Sequence, residues 1–120
     1  MREVILKRVY DPFDETDGCR ILIDRLWPRG LSKENARLDY WLKEVAPSTE
    51  LRKEFNHMPD RFEEFRNKYL HELRVNEQQS TALEQIIELA SKERVTLLYG
   101  SKDTVHNHAI VLADELLSRI

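Results

Sequence analysis

Arg20-Ile21-Leu22-Ile23-Asp24, followed at once by Arg25-Leu26-Trp27-Pro28-Arg29-Gly30, is the stretch on which the fold turns. A nearly continuous apolar run that ends in charges suits a strand covered on both faces, and parallel sheets bury strands in that way. Glu3 to Val9 reads as an earlier strand of the same kind, and Val95-Thr96-Leu97-Leu98-Tyr99 as a third short buried one. Between the first two lies Tyr10-Asp11-Pro12-Phe13-Asp14-Glu15-Thr16-Asp17-Gly18, whose Pro, Gly and four acids mark a surface loop. That connection contains no clear helix, which leaves open an antiparallel hairpin between the first two strands.

Helices fill the rest. Ser32 is placed to cap one whose apolar stripe is Leu38, Trp41, Leu42 and Val45, before Pro47 breaks it. Ser48 caps a short segment through Phe55, and Asp60 with Glu63 forms a capping-box pattern ahead of Phe62, Phe65, Tyr69 and Leu73. A helix over about residues 78–91 turns Leu83, Ile86, Ile87 and Ala90 inward, and a last one over about 105–118 buries Ala109, Leu112, Ala113, Leu116 and Leu117. The expectation is an α/β fold: a small, mostly parallel sheet of three or four strands, covered by about five helices with right-handed crossovers. With 120 residues and neither repeat nor linker, residues 1–120 read as a single domain.

Composition narrows the function classes. Apolar runs are short, Ala109-Ile110-Val111-Leu112-Ala113 among the longest, far below the roughly 20 residues of a membrane span. The first residues lack a secretory h-region, so the expected location is cytoplasmic, with no membrane partner. Cys19 is the only cysteine, which rules out an intrachain disulfide and a CxxC pair. A formal charge of −3 argues against nucleic acid as a partner, since phosphate attraction drives most such binding. Three glycines, at 18, 30 and 100, permit neither GxGxxG nor a Walker loop, and no motif names a cofactor.

Ligands of open parallel sheets bind at the carboxyl ends of the strands, where loops and helix N-termini converge. If the second and third strands are parallel, Asp24 to Gly30 and Ser101-Lys102-Asp103 share one rim and form an anion-binding crevice. Candidate ligand-binding residues are Asp24, Arg25, Trp27, Arg29, Tyr99, Lys102 and Asn107: two guanidiniums with an aromatic ring between them, and a lysine opposite. Candidate catalytic residues are His106, suited to proton transfer near neutrality, and Asp103 as general base or helix cap. The structural alternative pairs Arg25 with a carboxylate such as Asp24 or Asp39 and packs Trp27 beneath the helices. His106 and His108, at i and i+2 on a helix, point about 200° apart and cannot share an ion, so no metal is expected.

These residues also carry a resemblance. The block Asp24 to Leu31, Arg8-Val9-Tyr10-Asp11, Ala46-Pro47-Ser48 with Leu51-Arg52, Phe65 with Tyr69, and Leu97-Leu98-Tyr99 through Lys102-Asp103 to His106-Asn107-His108-Ala109 resemble the YeaO-like family of bacterial and archaeal proteins, over nearly the whole chain. The resemblance implies an α/β fold in which a strand ends in Asp, Arg and a nearby Pro, matched here by Asp24, Arg25 and Pro28. Longer relatives carry a helix between the first two strands and a glycine-histidine motif after the first, where this chain has only the acidic loop. Some members are labelled transcriptional regulators, a label that the acidic charge and the absent helix-turn-helix signal do not support.

Two function classes follow. The first is an enzyme or binding protein for an anionic small molecule bearing phosphate or carboxylate, nucleotide-like ligands included, with Arg25, Arg29 and Lys102 positioning charge and His106 or Asp103 handling protons. The second is a nucleic-acid or protein interaction module that uses Arg20, Arg25, Arg29, Lys33 and Arg37 as a basic patch. The plainest option is that the polar loops only cap the sheet and latch the helices together.

Overall fold

A computed structural model describes residues 3–120. Four strands form one parallel sheet: β1 (Val4–Arg8), β2 (Cys19–Leu22), β3 (Tyr40–Trp41) and β4 (Val95–Tyr99), in the order β1-β4-β2-β3. Five helices accompany it: α1 (Lys33–Ala36), α2 (Thr49–Phe55), α3 (Phe62–Val75), α4 (Glu77–Lys92) and α5 (His108–Arg119). The fold is therefore α/β. No described helix is long and apolar enough to cross a membrane. The hairpin left open between the first two strands is not formed, because β4 lies between β1 and β2 and pairs with both in parallel. Between β1 and β2 the chain makes only a short 3-10 turn, Glu15–Asp17.

Strand alternation sends two sets of side chains to opposite faces. Ile21, Ile23, Val95, Leu97 and Tyr99 join the large core, completed by Phe65, Tyr69 and Leu73 of α3, Leu83 and Ile86 of α4, and Leu112 and Leu116 of α5. The other face holds Val9, Leu22 and Leu98, roofed by Trp27, Leu31 and Leu38. Beside that small cluster lies a polar one. Arg20, 1% exposed, pairs with Asp17 and donates to the carbonyls of Ala36 (2.9 Å) and Arg37 (3.0 Å), while Lys7 reaches the same carboxylate at 3.0 Å. The Thr96 hydroxyl donates to the Asp17 carbonyl at 2.7 Å.

Arg20 explains a correction. The helix expected from Ser32 through Val45 stops at Ala36, and Arg37 turns left-handed at φ 49°. The carbonyls of Ala36 and Arg37 serve the buried guanidinium, and Asp39 accepts from the Arg20 amide at 2.8 Å. The chain thereby docks beside β2, and Tyr40–Trp41 becomes the edge strand β3. A second correction concerns α3: Asp60 lies inside a 3-10 turn, Pro59–Arg61, and the helix has no side-chain cap.

Candidate functional site

Because β2 and β4 are parallel neighbours, the loops that follow them meet. Asp24 ties them together: its Oδ2 accepts from the Gly100 amide at 2.9 Å, and its carbonyl accepts from Trp41 Nε1 at 2.7 Å. Its Oδ1 is buried without a hydrogen-bond partner. His108 Nε2 comes within 3.0 Å of that oxygen but aims its hydrogen bond at the Ile23 carbonyl, 3.1 Å away.

Arg25, half-buried, crosses to the segment before α2. Its Nη2 donates to Ala46 O at 2.9 Å and its Nε to Pro47 O at 3.3 Å. That segment is held from behind as well. Tyr69 donates to Val45 O at 2.6 Å, Gln79 Nε2 to Ala46 O at 3.0 Å, and Ser48 donates through its amide and hydroxyl to Glu72 at 2.9 and 2.6 Å. The Tyr69 hydroxyl is pushed well above its ordinary pKa, first by complete burial and then by the Glu72 charge, so it stays a donor. Ser48 also caps α2 through the Leu51 amide at 3.1 Å, which places Arg52 in the first turns of that helix. Among the described residues no carboxylate forms an ion pair with Arg25 or Arg52.

Together these elements wall a cleft of about 120 Å³. Asp24, Arg25, Arg52, Ser101, Asn107 and His108 form its polar wall, and Leu26, Ala46, Pro47, Phe55 and Phe65 its apolar wall. Phe55 and Phe65 stack at 4.5 Å between ring centroids. Asn107 is fully engaged: its side-chain oxygen caps α5 by accepting from the Ile110 amide, and its nitrogen donates to Asp103 O at 2.8 Å.

Of the nine residues singled out in the sequence, Asp24, Arg25 and Asn107 line this cleft, and the other six do not. Trp27 donates to Leu31 O at 2.7 Å and packs edge-on against Trp41. Arg29 and Lys102 are exposed. Tyr99 is buried, and burial first, then the Asp11 charge, raises its hydroxyl pKa. Asp103 does not cap α5, which starts at His108 and not near Val105. Instead Asp103 accepts from the amides of His106 and Val105, both at 2.9 Å, and from His106 Nδ1 at 3.0 Å. The amide bonds from His106 and Val105 hold its carboxyl below the ordinary range. The His106 ring meets Phe62 edge-on at 5.4 Å, and Phe62 in turn packs on Phe55 and Phe65. This acid–imidazole pair therefore stands one aromatic ring away from the cleft.

Arg52 and His108 are the lining groups that no spacing in the sequence singles out. Arg52 has only its place beside Ala46-Pro47-Ser48 and Leu51 to mark it, because nothing local ties α2 to the end of β2. The five cations of the interaction-module reading are not one patch. Arg20 is buried, Arg25 turns toward the cleft, and Arg37 lies 3.8 Å over the Phe13 ring.

Comparison with known proteins places the chain. The family model described as the Inactive DUF488-N3 subclade matches residues 3–120. Uncharacterized protein YeaO of Escherichia coli (strain K12) is 51% identical over 93% of this chain and 95% of its own. Uncharacterized protein Rv3073c of Mycobacterium tuberculosis is 40% identical over 97% of this chain and 95% of its own. No solved structure matches. On this full-length agreement, the chain belongs to the YeaO-like group of the DUF488 family.

Proposed function

We propose that this protein binds a small anionic molecule in the cleft at the carboxyl ends of β2 and β4, with Arg25 and Arg52 as the attracting charges. The observation that carries the reading is the Arg25 guanidinium, fixed in place by the carbonyls of Ala46 and Pro47 and paired with no acid. Neutral acceptors orient such a group without neutralising it, so its charge faces a partly water-excluded cleft where electrostatic attraction is stronger than in bulk. Arg52 adds a second unpaired charge to the lining, and the N-terminus of α5 adds a favourable dipole. Describing the matched subclade as inactive supports binding over turnover, and we assign the Asp103–His106 pair to holding the loop before α5. The cytoplasm is the location consistent with this reading and with Cys19, a free, buried thiol.

The test is the thermal-unfolding midpoint across carboxylates, phosphates, sulfate and nucleotides. A bound anion at about 100 times its Kd adds roughly 2.7 kcal/mol, several degrees for a chain of this size. The shift is expected to vanish in Arg52→Ala, an exposed position whose loss leaves the fold intact. No shift with any anion, or an undiminished shift in both Arg52→Ala and Arg25→Ala, removes the reading.

A further inference from the structure

We infer that the anion is a monocarboxylate with a compact apolar body, about one ring in size, and not a phosphate or a nucleotide; this rests on the anion-binding reading of the same cleft.

Charge is the first argument. Arg25 and Arg52 face the cleft together with Asp24, so the guanidinium charges of its wall exceed the carboxylate charge by one. A monoanion balances it. A phosphate dianion leaves one negative charge unmatched beside the Asp24 carboxylate, and like charges in a partly desolvated site repel strongly.

The amides are the second. Phosphate sites at strand ends and helix N-termini use free backbone N–H groups. Here two of the amides at this rim are already taken: Gly100 N by Asp24 Oδ2 at 2.9 Å and Ile110 N by the Asn107 side chain at 3.1 Å. The guanidinium groups of Arg25 and Arg52 at this wall present planar donor edges that match the fork of a carboxylate.

The third is the remaining surface. Pro47, Phe55, Phe65 and Leu26 supply an apolar wall that phosphate has nothing to cover, whereas a hydrocarbon body gains from each area of it removed from water. Size agrees. A closed apolar cavity of about 150 Å³ holds a benzene ring, and this cleft encloses about 120 Å³ with an open side. A base, a ribose and a phosphate together exceed that enclosed volume.

Isothermal titration of the full chain with benzoate, cyclohexanecarboxylate, inorganic phosphate and benzyl alcohol separates the possibilities. The two carboxylates are expected to bind about tenfold or more tightly than phosphate, and as much more tightly than benzyl alcohol, which keeps the ring but lacks the charge. Asp24→Asn is expected to narrow the gap between benzoate and phosphate by strengthening phosphate. Phosphate binding as tightly as, or more tightly than, both carboxylates overturns this inference and leaves the anion site standing. Benzyl alcohol matching benzoate, or no heat from any probe, overturns the anion site itself.

Discussion

Arg25 gives its Nη2 hydrogen to the carbonyl of Ala46 at 2.9 Å, and the same oxygen also accepts from Gln79 Nε2 at 3.0 Å. One peptide oxygen thus joins the rim of the sheet to α4 and fixes the direction of the guanidinium at the cleft. Lysine in place of arginine keeps the charge but loses the second donor and the planar fork. Arg25→Lys is therefore expected to weaken anion binding by about tenfold while costing only about 1 kcal/mol of stability, since Gln79 still satisfies Ala46. Titration calorimetry and melting curves on one preparation read both.

Asp17 and Arg20 form a pair of a different kind, buried on the opposite face of the sheet. Removing one partner of a buried pair leaves an uncompensated charge, so Asp17→Asn is expected to cost about 3–5 kcal/mol in denaturant unfolding. Burial alone pushes the Asp17 carboxyl up, but hydrogen bonds from Lys7, the Asp14 amide and Arg20 outweigh it and hold its pKa below the ordinary value. Its contribution is therefore complete above the unfolded-chain pKa of about 3.9 and is lost as pH falls through the lower folded value. Stability measured between neutral pH and pH of about 2 is expected to fall less steeply in Asp17→Asn than in the parent.

Two glycines with positive φ make a matched test of backbone constraint. Gly18 (φ +69°) turns the chain into β2 so closely that an added Cβ collides with the Arg94 carbonyl, whereas Gly30 (φ +75°) has open space around it. Gly30→Ala meets only the left-handed conformational penalty, about 1 kcal/mol. Gly18→Ala adds displacement of the Arg94 peptide that leads into β4 and is expected to cost about 3 kcal/mol or more, checked by the difference in midpoint between the two variants.

Cys19 opens β2 with its side chain in the large core. Burial first, then the charges of Asp39 and Glu93, push its thiol up to about 11. At neutral pH it is a protonated, covered thiol, so alkylation is expected to proceed only through opening of the fold and to accelerate with denaturant in step with unfolding. Fast modification of the native protein contradicts this placement of β2.

What was legible in the sequence has a physical pattern. Ile21 to Ile23 and Val95 to Tyr99 announce buried strands because every residue in them is apolar or β-branched, and their parallel pairing brings Asp24 and Gly100 together as the rim argument requires. Leu38, Trp41, Leu42 and Val45 misled because the same spacing serves an edge strand followed by a 3-10 turn, and the deciding partner, Arg20, is a charged residue that composition assigns to the surface. The rim itself was readable from Asp24 and Arg25. Arg52, Phe55 and Phe65 were not, since they reach the cleft by the packing of α2 and α3 over the sheet, a long-range contact with no local signal.

The most direct test of the anion site is nitrogen-resolved NMR of the arginine Nε–H groups during titration with benzoate and, separately, with inorganic phosphate. The Arg25 and Arg52 signals are expected to shift together and saturate with one Kd for whichever anion binds, while exposed Arg29 moves little. Shifts spread over all arginines without saturation, or an Arg25 signal unmoved by either anion, contradict a ligand site between β2 and β4.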